Sequence, residues 1–408
     1  MSEGPVWVQK YGGSSVATPD LMRGAAARIA RVRERGYRLV VVVSAMGDTT
    51  DHLLALAHSI SRHPQRRELD VLLSAGELQS MALLVMALHE IGVPAISFTG
   101  QQVGIYTDRC HSAARIQRID GARIREQLAR ERVVVVAGFQ GVTEDEHITT
   151  LGRGGSDTSA VALAAALGAA ECEVLTDVEA VFTSDPRVVP SARRIDRISY
   201  DEMLEMANHG ARVMHGRAVD LARRYSVPLV VGSATREQPG TRIVASERGA
   251  AMESVVVRAV TQDPAVVKIS VLQVPDQPGI AAKLFTILGE QGVNIRLIVQ
   301  AQSHHGVNDI TFIVPSESSI PDEVLERAVA AVGGASYLVD DQIGLLSVIG
   351  EGINQEPGVA GRIFSILADE GINIDVITSS NLYISCVVPK AKLNRGTQAL
   401  HAGLITVG

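Results

Sequence analysis

The stretch "VWVQKYGGSS", residues 6 to 15, is an apolar run that meets a lysine and breaks at two glycines. A strand over 6–10 followed by a Gly-Gly-Ser-Ser turn would present successive backbone N–H groups to an anion, with Lys10 adding a full positive charge. A plain glycine turn beside a solvated lysine explains the same residues equally well, and a Walker loop is excluded because the lysine precedes the glycines. Further runs of the same kind follow: "RLVVVVSAMG" (38–47), "RVVVVAGFQG" (132–141), "CEVLTDVEAV" (172–181) and "VPLVVGSA" (227–234). They alternate with alanine-rich helical patterns such as "GELQSMALLVMALHEIG" (76–92) and "SAVALAAALGAA" (159–170). Continuous apolar strands are buried on both faces, so an α/β fold with a mostly parallel sheet and helices on each side is expected. Ligands of such sheets bind beyond the carboxyl ends of the strands, where the Gly, Ser and Asp clusters fall.

With 408 residues and 46% hydrophobic content, the chain can bury two or three domains. A net charge of -7 with interspersed signs, and only 3% aromatics, argue against a nucleic-acid or anionic-membrane partner. Cys110, Cys172 and Cys386 are odd in number and lack metal-type spacing, which reads as a reduced compartment and no metal site. No secretory leader opens the chain and no apolar segment reads as a membrane span, so a cytoplasmic location is expected.

Around 236–253 the strand–helix alternation gives way to a polar stretch, which marks a domain boundary. Beyond it, "QPGIAAKLFTILGEQGVNIRLI" (277–298) aligns without a gap to "EPGVAGRIFSILADEGINIDVI" (356–377). Each copy reads as strand, Pro-Gly turn, amphipathic helix, glycine stop and new strand. Two copies are too few for a solenoid, so a pair of βαββαβ modules is expected.

Beyond the opening stretch, three more clusters carry candidate chemistry. In "TLGRGGSDTS" (150–159), Gly152, Gly154 and Gly155 allow close backbone approach, Arg153 offers a planar fork for a carboxylate, and Ser156, Asp157 and Thr158 are placed to cap a helix. In "LTDVEAVFTSDPRVV" (175–189), Asp177 and Asp185 flank an aromatic and Arg187 follows a proline, a set that suits a phosphate–metal complex or simply a turn. "SAGELQS" (74–80) puts Glu77 at an expected helix start, where the helix dipole alone would account for it, and Ser44 closes an apolar run as a pocket residue or a cap.

Taken together, "VQKYGGSS", "VVSAMGDTTD", "AGE", "AGFQGV", "TLGRGGSDTSAVALA", "TDVEAVFTSDPR" and "ARVMH" closely resemble the aspartate kinase (aspartokinase) family, and the repeat is similar to that family's paired ACT domains. The resemblance covers essentially the whole chain. It implies a three-layer αβα amino-acid-kinase domain over 1–250 and ferredoxin-like ACT domains over 265–340 and 343–408, the second completed by a strand near 254–260. The implied activity is transfer of the γ-phosphoryl of MgATP to the β-carboxylate of L-aspartate, the first step toward lysine, threonine and methionine.

By the same resemblance, Lys10 and Asp157 are the catalytic pair. Ser44, Glu77, Arg153, Gly154, Gly155 and Ser156 face the substrate, with Arg153 on its α-carboxylate and Glu77 on its α-ammonium. Lys10, Tyr11, Gly12, Gly13, Ser14, Thr176, Asp177, Phe182, Asp185, Arg187 and Arg212 form the nucleotide site, and ATP with Mg²⁺ is the implied cofactor. Asp276, Gly279, Ala281, Asn294, Gln300, Asn373 and Asp375 are the implied effector positions, for lysine or threonine. The family also implies a homo-oligomer through ACT domains, and a shorter in-frame subunit starting at Met252 would make it α2β2.

The chain departs from the family in three places. Arg296 stands where the first repeat usually carries an acid, Asn381 where glutamate is frequent, and Gly216 where proline is usual. Losing a carboxylate at 296 removes a partner for an effector's ammonium. Two rivals remain at this stage: a kinase of the same fold acting on glutamate, carbamate or UMP, and a catalytically silent amino-acid sensor.

Overall fold

The structure, a computed structural model, describes residues 4–211, 213–236, 238–246, 257–301, 306–318 and 320–405. The chain divides into two compact units, one comprising Met1–Phe182, Arg194–Ala207 and Arg212–Ala250, the other Thr183–Arg193, Asn208–Ala211 and Ala251–Gly408.

In the first unit the apolar runs become β1 (Val6–Tyr11), followed by α1 (Pro19–Glu34), and β2 (Arg38–Val43), followed by α2 (Thr49–Ile60) and α3 (Arg66–Glu90). Next come β3 (Ala95–Phe98), β4 (Ile105–Thr107), β5 (Ile116–Ile119), α4 (Ala122–Ala129), β6 (Val133–Ala137), β7 (Gln140–Val142), β8 (Ile148–Thr150) and α5 (Gly155–Leu167). The unit closes with β9 (Glu171–Thr176), β10 (Arg197–Ser199), α6 (Tyr200–Asn208), α7 (Gly216–Tyr225), β11 (Leu229–Ser233) and β12 (Thr241–Val244). The main sheet runs β10-β12-β11-β9-β1-β2-β6-β3, parallel throughout except for the β11–β12 pair. Val40 to Val43 of β2 and Val133 to Val136 of β6 are almost wholly buried, as strands covered on both faces require. β1 lies between β2 and β9, strands far apart in the sequence, so it marks the point at which the connections change direction. The same unit holds a small second sheet of order β5-β4-β7-β8.

Helix α3 corrects two expectations. It begins at Arg66 rather than at Gly76, and among the described residues it is the one helix long and apolar enough, by length and composition, to cross a membrane. In this unit it packs against α1 and the strands β3, β6 and β8, and it carries the buried acids Asp70 and Glu77.

The second unit holds both repeats. β14 (Val266–Pro275), α8 (Ile280–Glu290), β15 (Leu297–Ala301), β16 (Val307–Pro315), α9 (Asp322–Val332) and β17 (Ser336–Asp340) form one ferredoxin-like βαββαβ module with sheet order β15-β16-β14-β17; β13 (Ala259–Asp263) precedes it. The other module contains β18 (Ile343–Ile349), α10 (Val359–Asp369), β19 (Val376–Ser379), β20 (Tyr383–Pro389) and α11 (Leu393–Leu404). Its sheet, β13-β18-β20-β19, takes its last strand from before the first module, which is therefore inserted within the second. That strand lies slightly downstream of the expected 254–260, of which 254–256 fall outside the described residues. Phe312, Leu284 and Leu288 centre one core, and Leu346, Ile363 and Leu367 the other.

Candidate active site

Successive strand residues point to opposite faces, and at the end of β1 this separates Lys10 from Tyr11. The Tyr11 side chain is fully buried in the core with Ile29 and Val41, and burial pushes its phenol above its usual range. What Tyr11 turns toward the loops is its backbone: its carbonyl accepts from Ser44 N–H at 3.1 Å and so ties the end of β2 to β1.

Lys10 faces the other way. Its Nζ lies 2.7 Å from Asp157 Oδ1, with the two side chains only 11% and 12% exposed. Asp157 is not the helix cap its sequence context suggested. The N-cap of α5 is Gly154, in left-handed conformation, and no side chain caps it; Asp157 sits in the first turn. The Thr158 and Ser159 hydroxyls turn back to donate to the carbonyls of Gly154 and Gly155, each at 3.0 Å. With its cap role gone, Asp157 holds the ammonium of Lys10, while the positive end of α5 favours its carboxylate.

After β1 the chain enters a short 3₁₀ turn, Gly13–Val16. Gly12 N–H donates to Leu175 O and Ser15 N–H to Gly12 O, both at 3.0 Å, so the nest is narrower than four successive donors. Gly47 N–H reaches Gly13 O at 3.1 Å, joining this turn to the loop after β2; Ser14 is exposed.

Glu77 lies deep inside α3, not at its start, so the helix dipole does not explain it. It is 3% exposed. Its Oε1 accepts Ala45 N–H at 3.1 Å, and its Oε2 is buried with no hydrogen-bond partner. Burial pushes this carboxyl up to about 7, against the Ala45 hydrogen bond that favours the ion. The helix approaches that loop so closely because residue 76 is glycine: a Cβ there would lie 2.8 Å from Ala45 Cβ. A buried carboxylate oxygen with no donor is a natural receptor for a cationic group.

Arg153 is exposed at the turn before Gly154, and Ser156 is buried at the start of α5. At the end of β9, Thr176 Oγ1 donates to Asp177 Oδ1 at 2.8 Å, and Phe182 bridges to Arg194. Asp185 and Arg187 belong to the second unit, where Arg187 grips the Asp185 carboxylate through Nε at 3.0 Å and Nη2 at 2.7 Å and holds it below the usual carboxylate range. Arg212 and Met252 lie outside the described residues. Among the described residues no group of three or more His, Cys, Asp or Glu could hold a metal ion by itself.

Of the effector positions, Asp276, Gly279, Asn294, Gln300 and Asn373 are exposed and Ala281 is half-buried; Gly279, at positive φ, is the N-cap of α8. Asp375 is engaged, since its carboxylate accepts from Lys268 Nζ. Arg296 has an acid partner after all: it pairs with Asp263.

Sequence reading missed a network behind Glu77. Asp70, also on α3 and fully buried, gathers His111, Ser112 and Thr150. The available signal was its place seven residues before Glu77, two turns away on the same helix face.

Residues 5–233 match the amino acid kinase family, and residues 267–334 and 346–404 each match the ACT domain. The aspartokinase of Mycolicibacterium smegmatis is 46% identical over 398 residues, covering 97% of this chain and 94% of that protein. The structure of E. coli aspartokinase III in complex with aspartate and ADP is similar at a TM-score of 0.85 and 26% identity, covering 98% of this chain and all (100%) of that one. The same E. coli enzyme with lysine and aspartate gives a TM-score of 0.76 at 26% identity, with the same coverage of 98% and 100%.

Proposed function

The chain belongs to the aspartokinase family, and from that premise we propose that it transfers the γ-phosphoryl group of MgATP to the β-carboxylate of L-aspartate, giving 4-phospho-L-aspartate and ADP. The observation that carries this reading is the buried Lys10–Asp157 pair at the end of β1, where the connections of the sheet change direction. A β-carboxylate is already a nucleophile at neutral pH and needs no general base. One of its oxygens attacks the γ-phosphorus, the bond from that phosphorus to the β,γ-bridging oxygen breaks, and ADP leaves with the electron pair. The obstacle is the mutual repulsion of two anions, so the residues act by placing and neutralising charge.

In this reading Lys10 stabilises charge on the transferring phosphoryl oxygens and Asp157 fixes its ammonium. Gly12, Gly13 and Ser14 border the phosphates, with Thr176 and Asp177 at the nucleotide side. The unpartnered Glu77 Oε2 receives the α-ammonium of aspartate, Arg153 its α-carboxylate, and Ser44, Gly154, Gly155 and Ser156 line the space between. Mg²⁺ arrives on the nucleotide as part of the substrate. That suits an ion that keeps several waters and is bound mainly through phosphates.

The ACT pair is the proposed receptor for an amino-acid effector, lysine or threonine, with the N-terminal turn of α8 at Gly279 offering N–H groups to its carboxylate. Buried, unpaired Cys172 and Cys386 support a cytoplasmic setting. The test is formation of aspartyl hydroxamate from L-aspartate and hydroxylamine, dependent on ATP and Mg²⁺, repeated with lysine, threonine and both. Turnover with aspartate and none with glutamate, carbamate or UMP supports the reading. No turnover would replace it with the amino-acid sensor.

A further inference from the structure

Asp70 is a fully buried carboxylate with three bonded neighbours, and nothing in the proposed chemistry uses it. It has no exposed surface. Thr150 Oγ1 donates to its Oδ1 at 2.6 Å, Ser112 N–H is shared between its two oxygens at 3.0 Å each, and His111 Nδ1 lies 2.7 Å from Oδ2. The Ser112 hydroxyl adds a longer contact at 3.4 Å.

These partners come from two segments. Ser112 and His111 belong to the loop between β4 and β5, and Thr150 is the last residue of β8, directly before Leu151, Gly152 and Arg153. The two are themselves joined, since Ala114 N–H donates to Thr150 O at 2.9 Å. Arg217 straps the same place, with Nη1 on Leu151 O at 2.8 Å and Nη2 on Ala114 O at 2.7 Å. Gly152 completes the fit: at φ +75° it passes so close to the loop that a Cβ would lie 2.9 Å from Ser112 O. The exit of β8, which leads into Arg153, is therefore bolted to α3 through one buried carboxylate.

Asp70 and Glu77 are seven residues apart on α3, on one face. The geometry assigns Asp70 as a positioning residue for amino-acid recognition: it fixes the span between Glu77, on α3, and Arg153, after β8. In the proposed reaction that span sets how the α-ammonium and α-carboxylate are held while the side-chain carboxylate meets the transferring phosphoryl. The assignment rests on the proposed roles of Glu77 and Arg153. It extends them from two contacts to the element that spaces them. A misplacement of about 1 Å in such a span can cost on the order of 100-fold in rate.

The experiment uses the purified full-length chain and measures KM and kcat for aspartate and for ATP, together with the ratio of kcat/KM for aspartate over glutamate. The variants are Asp70→Asn and the isosteric Thr150→Val, beside Glu77→Gln and Arg153→Ala. Asp70→Asn is expected to raise KM for aspartate about 10-fold or more, Thr150→Val about 3- to 10-fold, with KM for ATP within about twofold and aspartate-over-glutamate selectivity reduced. A purely structural role would lower Tm and the active fraction without splitting the two KM values. If folded Asp70→Asn keeps the wild-type KM and selectivity, the inference is overturned. If Asp70→Asn does not fold, Thr150→Val decides by the same readouts. Should Glu77→Gln and Arg153→Ala leave KM for aspartate unchanged, the functional reading itself fails and takes the inference with it; should they raise it while Asp70→Asn and Thr150→Val do not, the inference alone fails.

Discussion

Arg296 and Asp375 occupy the same position in the two repeats, carry opposite charges, and each bonds to a residue outside its own module's repeat segment: Arg296 to Asp263 of β13 in the other module's sheet, Asp375 to Lys268 of β14 in the first module. The two contacts are not equivalent. Asp263 is only 5% exposed, whereas Asp375 is 44% exposed and its partner Lys268 has Asp340 within 3.7 Å as an alternative. Arg296→Asp leaves a buried acid beside a like charge and is expected to destabilise the second unit by about 1–3 kcal/mol, the guanidinium's partial exposure keeping it below a fully buried pair. Asp375→Asn should cost under about 1 kcal/mol. Calorimetric melting of both variants checks the contrast; equal shifts would mean that the burial of Asp263 does not govern the contact.

Glu77 gives the free protein a pH signature. Its carboxyl titrates near 4.5 when unfolded and at about 7 in the fold. Between those values the folded chain binds more protons than the unfolded one, so stability falls as pH rises through the window and the loss is complete above about 7. The gap between the two values sets the scale at about 3 kcal/mol. Urea unfolding across pH 4–8 should show this slope in the wild type and lose it in Glu77→Gln. The activity moves the opposite way, because the ion is the form that receives the substrate ammonium. kcat/KM for aspartate should climb to a plateau above about 7, and Glu77→Gln should lower it about 100-fold with no such climb.

What the sequence conveyed and what it withheld divide along physical lines. Runs such as Val40 to Val43 announce a doubly covered sheet, and the paired Pro-Gly helices announce two similar modules, because both signals are local and repeat in the chain. The start of α3 was hidden by Gly76, which reads as a helix boundary when glycine's low helix propensity is the only consideration. In the fold its missing Cβ is what admits Ala45. Asp157 looked like a cap because Ser, Asp and Thr follow a glycine pair, yet its partner Lys10 lies 147 positions earlier in the chain. Asp70 and Asp263 were silent for the same reason. A buried carboxylate shows its meaning only through partners that the topology delivers.

Lys10→Ala removes the full charge proposed to meet the transferring phosphoryl. Loss of a preorganised charge of this kind costs about 100- to 1,000-fold in kcat. Asp157 would then lack its cation, but its place in the first turn of α5 leaves it a favourable dipole, so the fold is expected to persist with a modest fall in Tm. Lys10→Arg, which keeps the charge but not the compact ammonium, should recover part of the lost turnover. Circular dichroism with steady-state kinetics decides it, and a folded Lys10→Ala with wild-type kcat would remove Lys10 from the chemistry.

Gly76→Ala sets two effects against each other. Alanine favours a helix interior over glycine by about 1 kcal/mol. Its Cβ would meet Ala45 Cβ at 2.8 Å, an overpacking that costs about 1–3 kcal/mol, so the steric term is expected to win by a small margin. The functional effect should be larger than the thermal one, because the displaced residue is the donor to Glu77 Oε1. That hydrogen bond favours the ionised carboxyl, and without it the plateau in kcat/KM for aspartate should move to higher pH. The double variant Gly76→Ala with Ala45→Gly removes the colliding methyl while keeping the backbone N–H. It should return both Tm and the pH profile toward wild type. If Gly76→Ala alone raises Tm and leaves the profile in place, the contact between α3 and the loop after β2 does not set the state of Glu77.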